Sequence, residues 1–198
     1  MARMLVTRLS DARPVPCRFR RHATDHPARE LGRRQEHGAR TVRDRYGRGC
    51  ALVEQDYLRR GLLRERDIAG GVAPLLIAQN IRIALDHGYH VICEGILARA
   101  RYGACLADLC SAHQGQTFVY YLDVSLEESL RRHAARPQAT EFTEQDMRGW
   151  YAPRDLLEVD GECVIGEEST LESSVALILS HLLTRGQLPT LSSRMTAG

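Results

Sequence analysis

The chain has 198 residues and a net charge of only +2, which fits one domain with a tail and is long enough to bury a sizeable core. No apolar run approaches the ~20 residues of a membrane-spanning helix, and the N-terminus lacks the apolar centre of an export signal. We therefore expect a cytoplasmic protein without a membrane partner.

Basic residues are concentrated at the N-terminus. All 27 of them are arginine, and nine lie in residues 1–39 against four acidic residues. Such a head can bind nucleic acid. GC-rich DNA translated in a wrong frame also gives an arginine-rich segment, and we prefer this explanation. The head has no hydrophobic period and contains three prolines, so a poorly packed or disordered segment is predicted over 1–39.

Cysteine and histidine spacing indicates neither disulfides nor a metal site. The six cysteines form no C-x-x-C pair, and the one H-x-x-x-H spacing among the eight histidines, at His22 and His26, has no such pair to complete a zinc site. These patterns predict reduced thiols and no zinc. G-x-S-x-G is also absent, so a serine hydrolase has no support.

Beyond the head, short apolar segments alternate with segments of helical pattern. The first half predicts the end of a helix over 40–47, a strand over 50–53, a helix over 57–65, a helix from Pro74 to Gly88 and a strand over 89–93. The second half predicts a helix over 100–113, a strand over 117–122, a helix from 125 to 135, a polar loop over 136–150, a strand over 162–165 and a helix after 169. Ser125 with Glu128 and Ser169 with Glu172 are predicted capping boxes.

This alternation predicts an α/β fold with a mainly parallel sheet that is covered by helices on both faces. We assign residues 40–185 to this domain and residues 186–198 to a flexible tail. Because ligands of such sheets bind at the carboxyl ends of the strands, the residues that follow strands are the first candidates for a site.

Asp56 follows the predicted strand over 50–53. Its carboxylate could accept a proton from a substrate hydroxyl or hold magnesium through water, although aspartate is also a favoured helix N-cap. Arg59 and Arg60 lie one helical turn further on, where they could bind an anionic substrate or remain solvated helix charges.

Glu94 follows the predicted strand over 89–93. It could orient magnesium or the substrate, and Gly95 beside it would permit close approach of a ligand. A simple turn acid is the alternative.

Arginines end the capped helix and enter the polar segment after it. Arg131, Arg132 and Arg136 could donate paired hydrogen bonds to a transferred phosphoryl group, or simply stabilise the end of the helix.

Arg148 and Arg154 extend this argument on either side of Trp150 and Tyr151. The two aromatic side chains could stack on a base or close the core, and we expect them to close the core.

These segments resemble those of bacterial P-loop kinases of the zeta-toxin and chloramphenicol-phosphotransferase type, which are often labelled AAA-family ATPases. The resemblance runs from about residue 40 to residue 183, and is carried by C-A-L-V-E-Q-D-Y-L-R-R, G-Y-H-V-I-C-E-G, Y-Y-L-D-V-S with R-R-H-A-A-R-P, and M-R-G-W-Y-A-P-R-D. It implies a three-layer P-loop kinase fold with ATP and Mg²⁺ as cofactors. It also implies a catalytic acid at Asp56, lid arginines at Arg131 and Arg136, and an acid beside the phosphates at Glu94.

The phosphate loop of that family has no counterpart in the written chain. The pattern G-x-x-x-x-G-K-[ST] should follow the first strand, but residues 29–38 are R-E-L-G-R-R-Q-E-H-G. Among the synonymous codons, CGG GAA CTC GGG CGC CGG CAA GAG CAC GGC is one choice that can encode these residues, and reading it one base later gives G-N-S-G-A-G-K-S-T, a complete loop. The same shift allows residues 24–29 to give L-I-I-L-R-G, a buried strand. We hypothesise that residues up to about 38 are translated in the wrong frame, with an ordinary arginine-rich leader as the alternative.

We therefore predict an ATP-dependent phosphotransferase that acts on a small-molecule hydroxyl. Asp56 would be the base, Arg131 and Arg136 would stabilise the transition state, and the substrate would contact Arg59, Arg60, Glu94 and Arg148. The chain as written is expected to bind ATP poorly. A nucleic-acid-binding protein that uses the basic head and an inactive pseudokinase are the alternatives.

Overall fold

A computed structural model describes residues 2–8, 34–134 and 143–183 of the chain. Within these ranges the elements are β1 Ala2–Arg8, α1 Arg34–Tyr46, β2 Cys50–Glu54, α2 Ala73–Asp86, β3 His90–Gly95, α3 Arg99–Ala112, β4 Gln116–Asp123, α4 Leu126–Ala134, α5 Glu144–Trp150, β5 Glu162–Gly166 and α6 Leu171–Leu183. A π-helical segment, Tyr57–Leu62, lies between β2 and α2. The predicted α/β class is confirmed.

The five strands form one mixed sheet in the order β2-β3-β1-β4-β5. β2 pairs in parallel with β3, and β4 pairs in parallel with β5. β1 pairs antiparallel with both β3 and β4. Four strands therefore run in one direction, and the central strand runs in the other.

β1 departs from the expectation for the head of the chain. Residues 1–39 were predicted to be poorly packed, yet Ala2–Arg8 is the central strand and α1 begins at Arg34. Met4, Leu5 and Val6 are each no more than 4% exposed. Residues 9–33 and the predicted tail after residue 186 lie outside the described residues.

Helices cover both faces of the sheet. One apolar cluster joins the sheet to α2 and α3 and includes Leu5, Ile77, Ile81, Val91, Leu106 and Val119. The other joins it to α1 and α6 and includes Val6, Val42, Ile92, Tyr120, Val175 and Ile178. No helix in the described ranges is both long and apolar enough to cross a membrane.

The cap of α4 forms only partly as predicted. The Glu128 amide donates to Ser125 Oγ at 3.2 Å, as in a capping box. The Ser125 amide, however, donates to Glu167 Oε2 at 2.9 Å. An acid that follows β5 thus supplies the second hydrogen bond of the cap, so α4 and the end of β5 are tied together.

The capping box predicted for α6 was wrong. Thr170 caps this helix, because the Ser173 amide donates to Thr170 Oγ1 at 3.1 Å. Ser169 lies in the preceding turn, and Glu172 instead forms an ion pair with Arg45 of α1 at 2.6 Å. The cap was therefore predicted one residue too early.

The segment predicted as a polar loop over 136–150 contains a helix. α5 begins after a complete capping box, in which the Asp146 amide donates to Thr143 Oγ1 and the Thr143 amide donates to Asp146 Oδ2. The Asp146 carboxylate accepts hydrogen bonds from the Thr143 hydroxyl and the Thr143 amide, and these lower the pKa of Asp146 below its usual value. The T-x-x-D spacing was a signal for this helix.

Candidate functional site

Four strand ends lie along one edge of the sheet. Glu54, Gly95, Asp123 and Gly166 are the last residues of β2, β3, β4 and β5, and we call their common edge the carboxyl edge. α1 reaches it, because Arg40 Nε donates to Glu54 Oε1 at 2.8 Å.

Asp56 lies at this edge and is bound by two arginines. Arg59 NH2 donates to Asp56 Oδ1 at 2.8 Å, and Arg60 Nε lies 3.4 Å from the same oxygen. Spacings of three and four residues on a helical segment bring the three side chains together. Asp56 makes no capping hydrogen bond, and Oδ2 accepts none from the described residues. A solvent-accessible carboxylate oxygen is therefore held in a fixed orientation.

Arg59 is buried by the loop that leads to α2. Its NH1 donates to the Glu65 carbonyl at 3.2 Å, and only 9% of the residue is exposed. The Glu65 carboxylate in turn accepts from the amides of Val72 at 2.7 Å and Ala73 at 3.0 Å, at the start of α2. Arg59 therefore holds Asp56 against the rest of the domain, whereas Arg60 is exposed enough to contact a substrate.

A buried hydrogen-bond chain fixes the residue before Asp56. Gln55 is 0% exposed, and its Nε2 donates to the Tyr102 hydroxyl at 2.9 Å. Tyr102 donates to Asp67 Oδ1 at 3.0 Å, and Arg101 pairs with Asp67 Oδ2 at 3.0 Å. Burial raises the pKa of Tyr102 to about 12, so its hydroxyl keeps its proton at neutral pH. Sequence patterns did not predict this chain of hydrogen bonds, because it joins residues that lie far apart in the sequence.

Gly95 makes room for Gln55 of this hydrogen-bond chain, whereas the sequence suggested that it makes room for a ligand. Its φ is +149°, and a Cβ placed there would lie 2.5 Å from Gln55 Cβ. The space above Gly95 is thus occupied by Gln55, so the glycine allows a protein side chain, rather than a ligand, to approach closely.

Glu94 is nearly buried at the carboxyl edge. It is 7% exposed and pairs with Glu54 in the register of β2 and β3. Alternation along β3 places Glu94 on the same face as Ile92, which is the face covered by α1. The structure thus brings Glu94 and Asp56 to adjacent strand ends.

The predicted lid arginines make local contacts. Arg131 is exposed on α4 and donates to Glu128 Oε1 at 2.6 Å, and Arg148 is exposed on α5 and pairs with Glu144 at 2.5 Å. These ion pairs do not involve Asp56. Arg136 and the side chain of Arg132 lie outside the described residues.

Trp150 is not part of the core, so that expectation was wrong. It is 56% exposed at the end of α5. Tyr151 after it is half-buried, and its hydroxyl donates to the Val124 carbonyl at 3.4 Å. Arg154 is exposed, with a φ of +49°.

Arg3 places a buried cation at the carboxyl edge. It lies opposite Gly95 and is 2% exposed, and its guanidinium donates to the Leu97 carbonyl. Asp155 and Glu162 lie 3.8 and 3.6 Å away. Burial lowers the pKa of Arg3. This arginine of the basic head is a structural residue and is not accessible to nucleic acid.

An open depression of about 460 Å³ lies at the opposite edge of the sheet, near the start of β4. Cys110, Thr117, Glu158 and Asp160 are among its lining residues, none of which is basic. It therefore lacks a basic side chain that could pair with a phosphate ligand. Among the described residues, no group of three or more His, Cys, Asp or Glu side chains could hold a metal ion.

The described residues do not form a cradle for the phosphates of ATP. Such a loop leaves a strand at the carboxyl edge and opens a helix. β1 runs the other way, and its last residue Arg8 lies opposite Gln116, at the start of β4. The chain matches no protein-family model, no curated protein and no solved structure.

Proposed function

We propose that this chain carries the acceptor side of an ATP-dependent phosphotransferase with a three-layer P-loop kinase fold, and that its phosphate loop is lost to a shifted reading frame. The observation that carries the proposal is Asp56, whose Oδ1 is bound by two arginines while Oδ2 accepts from no described residue. A carboxylate held in this way can orient an acceptor hydroxyl and take its proton.

Arg59 and Arg60 have different tasks in this proposal. Arg59 is buried and fixes the position of Asp56 through its contact with the Glu65 carbonyl. Arg60 is about 40% exposed and could bind an anionic group of the acceptor. The remaining candidates, Arg131 and Arg148, could reach a substrate only by leaving their local ion pairs.

Glu94 and Glu54 are the acids that fit a bound magnesium. Mg²⁺ in kinases is held by one or two carboxylates together with substrate phosphates. Glu54 ends β2 and lies opposite Glu94 of β3, and Arg40 already balances the charge of Glu54. ATP with Mg²⁺ would supply the phosphoryl group, and the residues of this chain would orient the acceptor.

The direction of β1 supports the shifted-frame hypothesis. α1 extends to the carboxyl edge, where a phosphate loop would open it, but β1 does not lead there. The L-I-I-L-R-G strand of the other frame would stand directly before α1. Placed in the sheet centre, it would run parallel to β3 and β4 and enter the loop at the carboxyl edge.

The coding DNA tests the frame. We expect GAA at Glu30, CAA at Gln35 and GAG at Glu36, because these codons give the loop when read one base later. Other codons at these positions would contradict the hypothesis, and the kinase-like body would then be that of a pseudokinase.

A repaired protein tests the reaction. Residues 24–37 would be replaced by L-I-I-L-R-G-N-S-G-A-G-K-S-T, and ATP binding measured by calorimetry. We expect the repaired chain to bind ATP roughly tenfold or more tightly than the written chain, and alanine in place of the loop lysine to reverse this gain.

Transfer would be measured with ATP and a panel of small alcohols. Asp56→Asn in the repaired chain should leave ATP affinity unchanged and slow transfer by about 10²–10⁴-fold. Full transfer by this variant would remove Asp56 from the chemistry.

A further inference from the structure

Trp150 is a large aromatic side chain that is exposed to solvent. It is the single tryptophan of the chain, is 56% exposed and ends a helix, α5, that has no buried residue. Tryptophan is buried in most proteins, and exposed aromatic side chains are frequent where a ligand or partner binds. Exposure alone does not indicate a binding site, so the position of Trp150 relative to the sheet is the second observation that is needed.

The segment after Trp150 is tied to the carboxyl edge. Tyr151 donates to the Val124 carbonyl just beyond β4. The Asp155 amide donates to the Tyr121 hydroxyl oxygen at 3.1 Å, and Asp155 Oδ2 accepts from the Arg99 amide at 2.8 Å, at the start of α3. Trp150 is therefore attached beside the ends of both β3 and β4.

This position lies beside the point where the strand order changes sides of the sheet. β2 and β3 lie on one side of the central strand, and β4 and β5 on the other. The chain thus changes direction across the sheet between β3 and β4, and ligands of α/β sheets generally bind beyond the strand ends at such a switch point.

The backbone and charge of the segment also suit a ligand. Arg154 has a φ of +49°, a conformation that costs free energy for any residue except glycine and is maintained where the surroundings fix it. Arg154 is exposed, so it adds positive charge to the segment that follows Trp150.

We propose that Trp150 is the stacking surface of a binding site for a nucleobase-bearing anion, with Arg154 as the cation of that site. The inference rests on the proposed function only for the source of the base, which would be ATP or a nucleotide acceptor. Base–aromatic stacking tolerates all bases and contributes substantially to affinity.

The chain as written is sufficient for the test, because this site does not use the phosphate loop. Trp150 fluorescence would be titrated with AMP, GMP, CMP and UMP, and with ribose 5-phosphate as a base-free control. We expect saturable quenching by at least one nucleotide and none by ribose 5-phosphate. Preference for AMP would indicate the ATP base, and preference for another base would indicate the acceptor.

Variants separate stacking from collisional quenching. By equilibrium dialysis, Trp150→Ala should lower the affinity for the preferred nucleotide by about tenfold, and Trp150→Phe by no more than about threefold. Circular dichroism would verify that both fold, as expected for an exposed position. Equal affinity in Trp150→Ala, or equal binding of ribose 5-phosphate, would overturn the proposal.

The two proposals fail independently. A repaired chain that does not transfer phosphate leaves nucleotide binding at Trp150 intact. Loss of the Trp150 effect, in turn, leaves the role of Asp56 untouched.

Discussion

Gln55 lies so close to Gly95 that a Cβ added to the glycine would come within 2.5 Å of Gln55 Cβ. This contact joins the ends of β2 and β3, between Asp56 and Glu94. The candidate site therefore depends on a glycine whose φ of +149° is also unfavourable for any other residue.

Gly95→Ala should destabilise the protein by about 2–5 kcal/mol for two reasons. Alanine avoids the backbone conformation at this position, and its Cβ would clash with a buried side chain. Urea unfolding would measure the loss. Gly161→Ala is the matched control, since Gly161 has a φ of +79° but no heavy atom within 4 Å of the added Cβ. It should cost only about 1 kcal/mol. Equal losses would show that the contact with Gln55 is unimportant.

Tyr102→Phe should cost about 1–3 kcal/mol, because it removes the acceptor for Gln55 Nε2 and the donor to Asp67 within a buried region. The free energy of unfolding in urea would report this loss. Tyr89→Phe removes the same atom from an exposed side chain and should change stability by less than about 0.5 kcal/mol. If both variants unfold alike, the hydrogen-bond chain does not stabilise the site.

The sequence predicted the elements that local pattern determines. β2, β3, β4 and β5 are short apolar runs near turn residues, and Asp56 meets Arg59 and Arg60 through helical spacing alone. Such features require only neighbours in the chain.

Features that require distant residues were missed. β1 is a short apolar run between Arg3 and Arg8, and it becomes a strand by pairing with β3 and β4, more than 80 residues away. The contact of Gln55 with Tyr102 spans 47 residues and is made through the packing of α3 on the sheet. No local periodicity indicates contacts of this kind.

The ion pair of Arg45 and Glu172 between α1 and α6 predicts a pH-dependent stability. Its hydrogen bonds lower the pKa of Glu172 from the usual 4.5, so the folded state binds this proton less tightly than the unfolded chain. The contribution is fully present above about pH 4.5 and is lost as pH falls through the lower folded value. Wild type should therefore exceed Glu172→Gln in free energy of unfolding at pH 6, and the difference should shrink below pH 4.5.

Arg45→Gln is the control for this titration. Without the guanidinium, the additional change Glu172→Gln should no longer give a difference that depends on pH. A gap of the same size at pH 6 and pH 3 in the wild-type background would contradict the assignment to this ion pair.

Val6→Asp tests which segment holds the centre of the sheet. Val6 is 0% exposed in β1, so an unpaired carboxylate there should destabilise the written chain by more than about 4 kcal/mol. Val164→Asp, at a 46% exposed position of β5, makes the same change with an expected loss below about 1 kcal/mol. In the repaired chain the restored L-I-I-L-R-G strand should replace β1, because the restored strand would run parallel to its neighbours and continue into the phosphate loop. Val6→Asp should then cost no more than Val164→Asp. A large loss in both chains would show that β1 keeps the central position and that the restored loop cannot form beside it.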